Sequence, residues 1–188
     1  MALRKACFLD RDGVLIEEEN YLSDPEKARL CKGAGQALLR LREAGYALVV
    51  VSNQSGVARG YFTMKEVEAV QSRIAELLAK EGASIDAWYN CPHHPKGKVE
   101  GFAIDCECRK PNPGMILRAA KEMSLDIASS ILIGDKLSDI EAGLNAGCKA
   151  CALVLSGHGS EQDLNADAAK KAILASGIDE AASKLLSS

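Results

Sequence analysis

Asp10 and Asp12 stand two residues apart in the segment Phe8-Leu9-Asp10-Arg11-Asp12-Gly13-Val14. In extended chain, residues i and i+2 point to the same side, so both carboxylates can face one space. Gly13 lets the chain turn tightly behind them. Two carboxylates held close repel each other unless a cation or a proton compensates. A hard divalent ion such as magnesium suits oxygen ligands. One carboxylate could then attack phosphorus while the other handles the leaving-group proton. The competing reading is a solvated acidic turn.

Three later segments could serve the same chemistry. Ser52-Asn53-Gln54-Ser55-Gly56 offers hydroxyl and backbone donors to a phosphate oxygen, and alone would read as a polar turn. Arg109-Lys110-Pro111-Asn112-Pro113-Gly114 sets two cations before a helix start, where phosphate charge is favoured; the alternative is a surface basic pair. Gly134-Asp135-Lys136-Leu137-Ser138-Asp139 offers Asp135 as a metal ligand or as a helix N-cap, with Asp139 one helical turn on.

A second constellation is Cys91-Pro92-His93-His94-Pro95 followed by Cys106-Glu107-Cys108. Three thiolates (Cys91, Cys106, Cys108) and the imidazole of His93 make a tetrahedral zinc set with every position filled by protein, hence structural. His94 is the competing ligand. The surrounding loop has little apolar content, and a metal would supply what packing cannot. The alternative is a loop of free thiols. Cys7, Cys31, Cys148 and Cys151 flank or sit in apolar segments, as small buried hydrophobes do.

These residues need elements to position them. Residues 6–9 read as a buried strand, 46–51 (YALVVV) as a second and 85–89 as a third, with 130–133 and 150–155 following. Helices are expected over 37–44, stopped by Gly45, and from a Thr63 N-cap with a Glu66 capping box to about Glu81. Further helices are expected over 113–123, 137–146 and 178–186, with 91–110 a loop and 167–175 a helix or a short strand. The alternation implies an α/β protein with a mostly parallel sheet covered on both faces. Such sheets bind ligands at the carboxyl ends of their strands, where most of the residues above fall.

The chain has 188 residues, 47% hydrophobic and 26% charged, which fits one globular domain over 1–188. A net charge of -3 and 4% aromatics argue against a nucleic-acid groove. No apolar run suits a membrane span, and the N-terminus does not read as a signal peptide. A cytoplasmic monomer is therefore expected, and seven cysteines there favour free or metal-bound thiols over disulfides.

The order acid pair, hydroxyl, lysine, acid resembles the haloacid dehalogenase-like superfamily of phosphatases. The resemblance implies a Rossmann-like three-layer sandwich. Asp10 would be the nucleophile and Asp12 the general acid and then base. Ser52 and Lys110 would hold the transferring phosphoryl group, assisted by Arg109. Asp10, the Asp12 backbone carbonyl and Asp135 would hold magnesium. Within it, Ser52–Gly60, Phe62-Thr63, Cys91–Pro95, Cys106–Pro111 and Gly134–Lys136 closely resemble the D-glycero-D-manno-heptose 1,7-bisphosphate 7-phosphatases of heptose and lipopolysaccharide biosynthesis. By position, Glu18, Glu19, Asn20, Tyr21, Ser52, Asn53, Gln54, Ser55, Arg109, Lys110 and Lys136 would contact a small sugar bisphosphate. Arg59 would suit its second phosphate. Asn20 stands where that family has a Gly-Tyr. The spacing leaves no room for a separate cap domain. A zinc-containing histidinol-phosphate phosphatase is the near alternative, and a non-catalytic zinc interaction module the distant one.

Overall fold

A computed structural model describes residues 3–187. Its centre is a six-stranded sheet in the order β3-β2-β1-β4-β5-β6, every neighbouring pair parallel. The strands are β1 (Ala6–Leu9), β2 (Ala47–Asn53), β3 (Ala87–Cys91), β4 (Ile131–Gly134), β5 (Ala150–Val154) and β6 (Ile173–Ala175). The helices are α1 (Ala34–Glu43), α2 (Gly56–Arg59), α3 (Met64–Lys80), α4 (Gly114–Met123), α5 (Leu137–Ala146), α6 (Asp167–Lys170) and α7 (Ile178–Leu186).

The period of two along each strand builds two cores. Cys7, Leu9, Leu48, Val50, Ile131 and Ile133 pack on one face, under Leu38 and Leu41 of α1, Ile74 and Leu78 of α3 and Leu185 of α7. Ala6, Phe8, Val49, Val51, Leu132 and Leu153 pack on the other, under Ile116 of α4, Ile140 of α5 and Ala169 of α6. The result is the expected three-layer sandwich, with the strands buried on both faces as parallel strands are. The strand order reverses at β1 and β4, and the crevice at their carboxyl ends is where such sheets bind ligands. Among the described residues, no helix is long and apolar enough to cross a membrane.

Several boundaries differ from the sequence reading. α1 starts at Ala34, not residue 37: Gly33, at φ 77, turns the chain into the helix, and Gly35 fits against the Glu81 side chain, where a Cβ would collide. Two glycines conceal that start because glycine is a poor helix former. β2 runs on through Ser52 and Asn53, whose ladder with Asn90 and Cys91 continues after the apolar run ends at Val51. β3 is shifted to Ala87–Cys91, because Asp86 ends the pairing: its carboxylate accepts from Leu48 N at 2.7 Å and pairs with Arg42. Cys91 is therefore the last residue of a strand, not the first of a loop. Pro113 caps α4 instead of opening it. β4 is shifted by one residue to Ile131–Gly134, since Ala6 N donates to the Ser130 hydroxyl at 2.8 Å instead of to a backbone carbonyl of the ladder. β5 ends at Val154. Residues 167–175 hold both alternatives in turn, α6 and then β6. α2, a single turn, is too short to show a period. The Thr63–Glu66 capping box forms as expected, with Thr63 N donating to Glu66 Oε2 at 2.7 Å.

Candidate active site

Asp10 follows β1 directly, and its amide continues the ladder by donating to Ile133 O at 3.0 Å. Its Oδ1 accepts from Arg11 N at 2.8 Å and lies 3.0 Å from Lys110 Nζ. Lys110 is buried, and its ammonium also reaches Asp139 Oδ1 at 2.6 Å and donates to Val51 O at 2.7 Å. Burial alone would lower the pKa of this lysine; the charges of Asp10 and Asp139 outweigh it and hold it above its ordinary value.

The lysine is aimed by its backbone. Asn53, the last residue of β2, accepts from Lys110 N at 3.1 Å and donates to Lys110 O at 3.0 Å. Gln54 follows and donates both to Asp12 Oδ2 at 3.1 Å and to Ser52 Oγ at 2.9 Å. The second acid is gripped from the other side by Arg11, whose Nε and Nη2 take both Asp12 oxygens at 2.9–3.1 Å. The remaining nitrogen, Arg11 Nη1, is buried without a partner.

Asp135 follows β4 and is fully buried. His158 N donates to its Oδ2 at 2.8 Å, while its Oδ1 is buried without a partner. Burial, then the charges of Asp10 and Asp139, push its carboxyl up to about 8. Gly13 and Gly157 lie against this carboxylate, and a Cβ on either would collide with it. Carboxylate oxygens of Asp10, Asp135 and Asp139 lie within 4.8 Å of one another. An all-oxygen set with an orphaned acceptor fits a hard divalent cation such as magnesium.

One cavity of about 280 Å³ opens above this group. Of the residues expected from sequence, Asp10, Asp12, Glu18, Asn20, Tyr21, Asn53, Gln54, Ser55, Lys110 and Lys136 line it. Ser52 and Asp135 are buried residues outside that lining, Glu19 is exposed away from it, and Arg59 and Arg109 also lie outside it. Arg59 Nη2 lies 3.1 Å from His94 Nε2, and Arg109 donates to His93 O at 3.2 Å. Burial, then the cations Arg109, Arg59 and Lys96, lower the His94 imidazole, which places that ring among positive charge. Sequence reasoning missed Arg11, Phe62, Ser138 and His158 as cavity residues, and gave Asp139 no role. Asp139 did carry a signal: its spacing from Lys136 is that of a helix N3 residue, and its Oδ2 accepts from Lys136 N at 2.9 Å. His158 carried none, because only the fold brings the loop after β5 over Asp135.

The second constellation also assembles. Cys91, His93, Cys106 and Cys108 present ligand atoms within 4.8 Å of one another. The Sγ–Sγ separations are 3.1 Å (Cys91–Cys108), 3.3 Å (Cys106–Cys108) and 3.6 Å (Cys91–Cys106). His93 Nδ1 stands 3.4 Å from Cys108 Sγ and 3.7 Å from Cys91 Sγ. Zinc–sulfur bonds of about 2.3 Å in a tetrahedron imply edges of about 3.7 Å, so a small opening of the three sulfurs fits zinc to this set. His94 is not part of it: its Nδ1 accepts from Lys96 N at 3.0 Å. The loop is pinned to α2, where Ala58 O accepts from Lys98 N and Val99 N at 2.7 and 3.0 Å.

The chain is similar to known proteins along most of its length. A HAD-hydrolase-like family model matches residues 107–181. The D-glycero-alpha-D-manno-heptose-1,7-bisphosphate 7-phosphatase of Photorhabdus laumondii is 44% identical over 154 residues, covering 82% of this chain and 84% of that protein. The D-glycero-beta-D-manno-heptose-1,7-bisphosphate 7-phosphatase of Pasteurella multocida is 42% identical over 161 residues, covering 86% and 87%. The solved D,D-heptose 1,7-bisphosphate phosphatase of B. bronchiseptica, complexed with magnesium and phosphate, superposes with a TM-score of 0.85 at 33% identity, covering 97% of this chain and 98% of that one.

Proposed function

The chain belongs to the D-glycero-D-manno-heptose 1,7-bisphosphate 7-phosphatase family, and from that premise we propose that it removes the phosphate at carbon 7 of such a heptose bisphosphate and leaves the one at carbon 1. The observation that carries the reading is the buried Lys110 ammonium between Asp10 and Asp139, beside the orphaned Asp135 oxygen.

The residues divide the work as follows. Asp10 attacks phosphorus and forms an aspartyl phosphate as the bond to the C7 oxygen breaks. Asp12 gives its proton to that oxygen, then takes a proton from the water that opens the aspartyl phosphate and releases inorganic phosphate. Gln54 and Arg11 hold Asp12 for both transfers. Lys110 and the Ser52 hydroxyl, whose oxygen accepts from Gln54 and whose O–H is left to donate, offset charge on the phosphoryl oxygens. Magnesium, held by Asp10, Asp135 and the Asp12 carbonyl, would supply Lewis-acid neutralisation of the same charge. Zinc, held by Cys91, His93, Cys106 and Cys108, would be structural.

Glu18, Asn20, Tyr21, Ser55 and Lys136 would contact the sugar from the cavity wall. Arg59 and Arg109, gathered around His94, supply the charge for a second phosphate, which a monophosphate of a cationic amino alcohol would not need. The enzyme would act in the cytoplasm, as a monomer, on a small molecule and not on nucleic acid. The relatives include enzymes for either anomer at nearly equal identity. The test is a panel of both heptose bisphosphate anomers, histidinol phosphate and a 3′-phosphorylated oligonucleotide, with and without magnesium. Phosphate release is expected from a heptose bisphosphate, and only with magnesium. Preferred turnover of histidinol phosphate would move the assignment to that activity, and no turnover of any would favour a non-catalytic zinc module.

A further inference from the structure

Two exposed tyrosines meet at the mouth of the cavity. Tyr21, 46% exposed, lies in the segment after β1, and Tyr61, 58% exposed, lies in the turn after α2. Their ring centroids are 4.8 Å apart at an interplanar angle of 80°, an edge-to-face pair. Tyr21 lines the cavity, as does Phe62, the residue after Tyr61. The pair thus joins the two chain segments that flank the opening.

Tyr21 is held against local preference. Its φ is 65° and that of Asn20 is 38°, in the left-handed region that ordinary side chains rarely adopt. Glu18 Oε1 accepts from Asn20 N at 2.9 Å and steadies the start of the turn. The tyrosine ring itself has Tyr61 as its aromatic partner. The Tyr61 backbone is fixed by a bond from its N to Gly56 O at 2.9 Å, after Gly60 ends α2 at φ 77. The Tyr61 backbone is therefore fixed at the place from which its ring meets Tyr21. An exposed aromatic at a turn tip adds little to the core, and its contact is with the cavity rim.

We propose that Tyr61 is a positioning residue for sugar selectivity: it braces Tyr21 so that the tyrosine ring forms an apolar wall for the C–H face of a sugar phosphate. The proposal rests on the sugar-bisphosphate reading of this site. Tyr61 acts through Tyr21 and takes no part in phosphoryl transfer, so it should affect the binding of substrates large enough to reach the rim. A substrate too small to reach it, such as glycerol 3-phosphate, should be indifferent.

The test compares Tyr61→Ala and Tyr61→Phe with the unsubstituted enzyme on heptose 1,7-bisphosphate and on glycerol 3-phosphate. Tyr61→Ala should raise KM for the sugar bisphosphate by roughly three- to tenfold, the loss of one aromatic contact, with kcat nearly unchanged. Its kcat/KM for glycerol 3-phosphate should stay at the unsubstituted value. Tyr61→Phe should behave as the unsubstituted enzyme on both, since the ring makes the contact. An unchanged KM in Tyr61→Ala, an equal loss on both substrates, or a Tyr61→Phe as impaired as Tyr61→Ala would overturn the proposal. If the unsubstituted enzyme fails on heptose bisphosphate, the substrate reading falls separately, and the same comparison is made on the best sugar phosphate it hydrolyses. Failure on every sugar phosphate would overturn both.

Discussion

Asn53 grips the backbone of Lys110 from both sides, accepting from its N at 3.1 Å and donating to its O at 3.0 Å. The contact joins the end of β2 to a loop residue 57 positions later. It explains how a lysine on an irregular segment can sit within 3.0 Å of Asp10. Asn53→Ala should lower kcat/KM by roughly ten- to a hundredfold, the scale of a misplaced catalytic group. Asn53→Asp keeps the acceptor and loses the donor, so it should fall between. Steady-state kinetics checks this; a full-activity Asn53→Ala would show that Lys110 is placed by other contacts.

Asp10→Asn removes the nucleophile and keeps the shape. It should fold, hold zinc and lose turnover by at least about 10⁴-fold, the scale of removing a nucleophile. Near-normal turnover in this variant would overturn the covalent mechanism and leave the fold intact.

The buried triad Asp10–Lys110–Asp139 makes a third expectation. Lys110→Met strands two buried carboxylates beside Asp135, and breaking such a pair costs about 3–5 kcal/mol. The variant should melt lower than the unsubstituted protein and regain more of its melting temperature when magnesium is added, because a cation then replaces the lost one. Thermal melts with and without magnesium read both effects. A Lys110→Met protein of unchanged melting temperature would mean that the carboxylates are compensated some other way.

How far the sequence reached depends on what each residue needed. The sheet was legible because Phe8-Leu9 and Val49-Val50-Val51 are apolar runs buried on both faces. Asp10 and Asp135 were legible because each sits at a strand's carboxyl end, where chain order alone places it. Ser52 was expected at the phosphate from its place at the end of β2; it lies just beneath the cavity lining, and the bond its oxygen accepts from Gln54 belongs to tertiary structure. His158 was missed because its partner Asp135 is distant in sequence, Arg11 because a side-chain direction decides its contact with Asp12, and Asp139 because, beyond its local N3 spacing, its ion pair with Lys110 is made by the fold. Tyr21 could be named from position, but its left-handed φ and its ring partner Tyr61 belong to tertiary structure. The start of β3 was misplaced because Asp86, a side chain, ended the backbone ladder.

The Cys–His set should hold about one zinc per chain, and its removal should affect catalysis through the backbone and not through the chemistry. Cys108 is the last ligand and the residue directly before Arg109 and Lys110. Asn112 ties the same stretch back by donating to Cys106 O at 2.9 Å, and Gly114 N donates to Glu107 O at 3.0 Å. Burial pushes the Cys91 thiol up, a cost that a bound cation would offset. Without zinc the stretch keeps these bonds and the Asn53 grip on Lys110 but loses its anchor at Cys108, and both cations should be less well aimed. Cys108→Ser should therefore lose zinc, melt lower, raise KM and lower kcat together. Metal analysis, a thermal melt and kinetics on one preparation check all of these. Full activity in a demonstrably zinc-free protein would sink the link between the metal and Lys110, and would leave Asn53 as the residue that positions it.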